Sequence, residues 1–112
     1  METQKPDGVP LVRATLKVIA GKWSIRALWH LRESPKRYSE LRQLMPSISE
    51  RVLVQTLREL ERNDIVERIE LSEKPLRIEY RFTQYGQTLV PVFIAMCTWG
   101  EKHIEKMDSQ EN

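Results

Sequence analysis

The chain is short of the residues on which several function classes depend. It has one cysteine, two histidines and four glycines in 112 residues. A lone thiol, Cys97, forms no internal disulfide, so a reducing, cytoplasmic setting is expected. His30 and His103 are far apart and lack Cys or acidic partners at ligand spacing, so no metal site is expected. No apolar run approaches the roughly 18 residues of a membrane span. The opening METQKPDGVP lacks the basic-then-apolar pattern of a secretory leader. There is no glycine-rich phosphate loop and no nucleophile–base–orienter set, so neither cofactor nor catalytic residues are expected.

What remains is an ordinary globular composition, 40% hydrophobic and 30% charged, sized for one domain over residues 1–112. Net charge is only +2, but it is unevenly spread. Residues 1–48 hold nine Lys/Arg against four Asp/Glu, residues 49–81 seven against eight, and residues 82–112 two against four. The first part is basic and the middle is not. Any attraction to nucleic acid through the middle segment must come from the placement of its charges.

Residues 1–8 read as a loose tail. Val12, Leu16 and Ile19 recur at helical spacing from about Leu11, and Gly21 punctuates that helix. A second, largely buried helix spans about Trp23 to Arg32 and ends at Ser34-Pro35. Ser39 is read as the cap of a short helix that stops at Pro46. Ser47, with Glu50 three residues on, and Ser49 compete to cap the next helix. Ile65–Leu71 and Arg77–Thr83 read as strands around an SEKP tip where Pro75 interrupts pairing. From Gln84 the chain turns helical again, with a kink or delayed start at Pro91 and fraying from Asp108.

The Ser49–Arg62 helix has two distinct sides. At about 100° per residue, Leu57 and Leu60 fall within about 40° of Leu53. Arg51, Gln55, Arg58 and Arg62 cluster within about 60° on the opposite side. Arg can donate two parallel hydrogen bonds to guanine, and Gln can bond adenine at two atoms. Residues near the start of a reading helix lie closest to base edges. Ser49, Arg51 and Gln55 are therefore the base-reading candidates, with Arg58 on phosphate. Lys74 and Arg77 at the hairpin formed by those strands could grip an adjacent phosphate or enter a minor groove, and Arg37 with the N-terminus of the helix after Ser39 could hold another phosphate.

The order of these parts, α+β but mainly α, resembles the HxlR-type winged helix-turn-helix regulators, relatives of MarR-like proteins. The matching words are IAGKW (19–23), RYSEL (37–41), SISERVLVQTLRELERNDIVER (47–68), Pro75 with RIEYRFTQYG (77–86), and Trp99-Gly100. They span roughly Leu11 to His103. The resemblance implies a helix-turn-helix over 39–63 and a two-stranded wing within 65–83. It also implies terminal dimerisation helices over 11–32 and 84–107. The expected function is a cytoplasmic, homodimeric, sequence-specific transcriptional regulator on double-stranded DNA with an inverted-repeat operator. Val12, Leu16, Ile19, Phe93, Met96, Trp99 and Ile104 would form the dimer interface. Many members carry a cysteine just before the first helix, some as a sensor; here that place is Pro10, so a sensing role there is not carried over. Cys97, in VFIAMCTW, reads as a packing residue. Trp23, Trp29 and Trp99 could line a small-molecule effector pocket, though packing is the preferred reading, and no effector is identified. The alternative function is a winged-helix protein-interaction module that docks an acidic partner without binding DNA.

Overall fold

The computed structural model describes residues 7–111. Along it run α1 (Gly8–Ile19), α2 (Lys22–Glu33), β1 (Lys36–Arg37), α3 (Tyr38–Leu44), α4 (Glu50–Arg62), β2 (Val66–Glu73), β3 (Leu76–Phe82), α5 (Gln84–Gln87) and α6 (Val90–Glu111). Local capping chemistry sets most of these boundaries. The Asp7 carboxylate accepts the Val9 N–H at 3.0 Å and starts α1 at Gly8, earlier than the expected Leu11. The expected tail therefore loses Gly8 to the helix, and residues 1–6 lie outside the described residues. Ser34, ahead of Pro35, is extended, as the pre-proline clash demands.

Ser39 does not cap α3; it is the second residue of that helix. Arg37 caps it instead, its N–H donating to Glu40 Oε1 at 2.8 Å, so the carboxylate three residues on satisfies an otherwise orphaned donor. Between the two serines before α4, Ser49 is the cap: its Oγ accepts the Val52 N–H at 3.2 Å.

The sheet has three strands, not two. β3 lies at its centre in the order β1-β3-β2, antiparallel throughout. β1 is only Lys36–Arg37, paired with Tyr80 and Glu79, too short to show any alternation in sequence. The hairpin is also tighter than expected. Glu73 pairs with Leu76, which leaves Lys74-Pro75 as the turn, and Ser72 Oγ donates to the Pro75 carbonyl at 2.7 Å.

One apolar core joins every layer. It gathers Ile19 from α1, Ala27, Leu28 and Leu31 from α2, and Leu41 from α3 with Met45 and Ile48 just after it. Leu53, Leu57 and Leu60 from α4 enter it, with Ile65, Val66, Tyr80 and Phe82 from the sheet region and Phe93 from α6. Burial pushes the Tyr80 phenol above its ordinary value; the Glu61 carboxylate adds to this and the Arg68 guanidinium opposes it. Trp29 departs from the expected buried second helix. It is 41% exposed, with the Arg32 guanidinium 4.1 Å from its ring centroid.

The junction between α4 and the sheet is held by backbone. Asp64 takes a left-handed turn at φ 60°. Ile65 then offers its carbonyl to the Thr83 N–H at 2.9 Å. Thr83 Oγ1 donates to the Asp64 carbonyl at 2.6 Å and accepts the Gly86 N–H at 2.8 Å. At Gly86 a Cβ would lie 2.0 Å from the Ile65 carbonyl oxygen, so only glycine allows this approach. α6 starts late, with Pro91 in its first turn where a missing N–H costs nothing. It continues to Glu111 rather than fraying at Asp108, and Asn112 lies outside the described residues.

Gly86→Ala is expected to lower stability by more than about 2 kcal/mol through steric strain, and Thr83→Val by about 1–2 kcal/mol through lost capping bonds. Urea midpoints of the two variants against wild type measure both.

Candidate nucleic-acid interface

α4 combines an N-terminal cap, a buried stripe and an exposed cationic side. Leu53, Leu57 and Leu60 are each 2% exposed or less, with Thr56 beside them at 7%. That stripe turns Arg51, Gln55, Arg58 and Arg62 outward, where all four are exposed. Together with Glu50 and Val54 they line an open groove of about 630 Å³. Arg51, Arg58 and Arg62 enter no ion pair among the described residues, so their charge is available to a partner. Val54 was not singled out in the sequence. A helical projection would have found it, since it falls about 60° from Arg51 on the edge of the same side.

Ser49 Oγ accepts the Val52 N–H and so holds the start of α4, while its O–H, on an exposed residue, is still available as a donor. On the wing, the hairpin of β2 and β3, the cations divide into two groups. Arg81 Nε meets Glu67 Oε1 at 2.7 Å and Arg68 meets Glu70 at 3.3 Å. Lys74 at the tip and Arg77 beside it are exposed and enter no ion pair among the described residues. Arg37 and Ser39 are likewise exposed, at the start of α3.

A helix-turn-helix of α3 and α4, followed by a charged hairpin, narrows the comparison to one kind of protein. Residues 18–108 match the HxlR-like helix-turn-helix family. The chain belongs to that family. Among its relatives is the HTH-type transcriptional regulator YdeP of Bacillus subtilis (strain 168), 42% identical over 105 residues, covering 94% of this chain and 81% of YdeP. The crystal structure of the HTH-type regulator YtcD superposes with a TM-score of 0.79 at 43% identity, covering 85% of this chain and 97% of that one. A MarR-family transcriptional regulator from Enterococcus faecalis V583 superposes with a TM-score of 0.85 at 32% identity, covering 96% and 97%. As an HxlR-like protein, this chain is a DNA-binding transcriptional regulator and not an enzyme. Among the described residues no helix is long and apolar enough to cross a membrane.

The terminal helices of this HxlR-like chain split the residues expected at a dimer interface. Val12, Leu16, Met96, Trp99 and Ile104 are exposed. Ile19 and Phe93 are not: at 1% and 3% exposure they belong to the subunit's own core, on the inward side of α1 and in the first turn of α6. Val9, Leu11, Ile94 and Met107 add further exposed apolar surface that the sequence reading did not assign. Cys97 is exposed, against the expectation of packing: the buried core ends at Phe93, and beyond it α6 faces Trp29 and Arg32 of α2 across an open cleft. The three tryptophans do not share a pocket. Trp23 lies against the core with Lys22 and Arg26 over its ring, Trp29 borders a cleft of about 230 Å³ with Cys97, and Trp99 stacks on His103 at 4.8 Å.

The ion pair on the wing makes a checkable difference. Glu67→Gln frees Arg81 and is expected to strengthen binding to random-sequence DNA. If Arg81 then meets a phosphate, the log K against log salt slope steepens by about 0.9, read by fluorescence anisotropy across a salt series.

Proposed function

We propose that the protein acts as a homodimer that sets α4 of each subunit in successive major grooves of an inverted-repeat operator. The observation that carries this reading is the unpaired Arg51–Gln55–Arg58 side of α4, exposed by burial of the leucine stripe behind it. Arg51 and Gln55, in the first two turns, have the donor and acceptor groups that discriminate bases, and Arg58, further along the helix, is assigned to a phosphate. Lys74 and Arg77 on the wing, with Arg37 and Ser39 at the start of α3, supply backbone contacts that position without reading. The basic first 48 residues add long-range attraction.

The dimer reading rests on apolar surface. Val12, Leu16, Met96, Trp99 and Ile104 are exposed on two helices that a small single core leaves partly uncovered. A hollow of about 470 Å³ lined by Val92, Ala95, Met96 and Trp99 offers a seat for side chains of a second copy. Pairing two copies along these helices gives a two-fold axis. Two-fold symmetry calls for an inverted repeat, and two α4 helices reaching successive major grooves on one side of the duplex call for half-sites about one helical turn apart, roughly 34–36 Å.

Selection of bound fragments from a random DNA pool, followed by sequencing, is expected to enrich an inverted repeat with that spacing; enrichment of no motif would sink the reading. Arg51→Ala should cost about 1–3 kcal/mol on the enriched site and little on random DNA, whereas Lys74→Ala should weaken both alike. Trp99→Asp is expected to shift the protein from dimer to monomer in sedimentation velocity while its circular dichroism spectrum holds. A Trp99→Asp variant that sediments as wild type would remove α6 from the interface.

A further inference from the structure

Outside the leucine stripe, α4 carries two valines, Val52 and Val54, and both are half-buried. They differ in what they touch. Val52 packs against the apolar core. Val54 is not among the residues packed there and instead lines the open groove with Arg51, Gln55 and Arg58. By helix geometry it lies about 40° from Arg58 and about 60° from Arg51, on the same outward side. Its own subunit covers part of this side chain, but the remainder is apolar surface inside a polar groove that the core leaves open. Valine is also a poorer helix former than its neighbours, so local propensity does not account for it.

Its surroundings indicate what it could meet. Valine cannot bond a phosphate or a base edge. On the floor of a major groove, the one apolar group that distinguishes a base is the C5-methyl of thymine. Valine's χ1 is strongly restricted in a helix, so its methyl groups are held in place before binding. The geometry points to Val54 as a specificity residue that seats a thymine methyl in each half-site, next to the base pairs read by Arg51 and Gln55. This assignment rests on the DNA-reading role proposed for α4.

The test uses the full chain and the operator recovered by selection. Each thymine is replaced in turn by deoxyuridine, which removes the methyl and leaves every hydrogen-bonding group in place. Wild type is expected to lose about fourfold in affinity at one symmetry-related thymine per half-site, the worth of about one buried methyl group. Val54→Ala is expected to lose about as much on the unmodified operator and to show no further loss at that thymine. A matched melting temperature shows that the variant folds, and alanine's higher helix propensity favours that. If Val54→Ala keeps wild-type sensitivity to every deoxyuridine, or if wild type is indifferent to all of them, the assignment falls while the DNA-reading role stands. If selection enriches no motif, both fall together.

Discussion

The rotation of α4 about its own axis is the constraint on which the rest of the structure depends. Leu53, Leu57 and Leu60 are almost fully buried against α2 and the sheet, and each buried leucine contributes about 1.5–3 kcal/mol. The exposed side chains opposite contribute far less to folding. The core therefore decides which side faces out, and the Arg–Gln side is presented as a consequence. A helix that rolled by one residue would turn Arg58 and Glu61, or in the other sense Glu59, toward the core without a partner and the leucines away from it, at a cost of several kcal/mol.

A second constraint ties the wing to that helix. The Ile65 carbonyl receives the Thr83 N–H, and Gly86 comes so close to the same oxygen that no side chain fits. Thr83 binds the Asp64 carbonyl on one side and the Gly86 N–H on the other. The end of α4, the base of the hairpin and the start of α5 thus meet at one backbone junction. Ion pairs then sort the wing's cations. Arg81 with Glu67 and Arg68 with Glu70 are surface pairs that add little stability, but they withdraw two charges from any partner. Lys74 and Arg77 remain. That is how a middle segment with more acidic than basic residues still directs positive charge outward.

The terminal helices follow a different economy. α1 and α6 each give the core one fully buried anchor, Ile19 and Phe93, with Val18, Val90 and Val92 partly buried against it, and leave most of their other large apolar residues exposed. Val12, Leu16, Met96, Trp99 and Ile104 are large apolar residues left exposed along these two helices, the kind of surface that marks an interaction site when contiguous. The proposed second copy covers that surface, and the same pairing sets the spacing of the two α4 helices.

The amino-acid sequence by itself determined the order of the main helices and the two wing strands and the leucine stripe with its opposing Arg–Gln side, because helical and strand periodicities are local properties that survive without coordinates; its matching motif words carried the family resemblance. It narrowed the cap of α4 to two serines but could not choose, since both spacings satisfy an N-terminal donor. Only the tertiary structure decided that Ser49 caps, that Arg37 rather than Ser39 begins α3, and that Lys36–Arg37 adds a third strand, since a two-residue strand has no period. It also decided which apolar residues of α1 and α6 turn inward. Ile19 and Phe93 look the same in sequence as Leu16 and Met96, and Cys97 reads as one more member of an apolar run. Hydrophobic pattern marks a residue as seeking cover. Which surface supplies that cover depends on how far the core reaches, and this core stops at the first turn of α6.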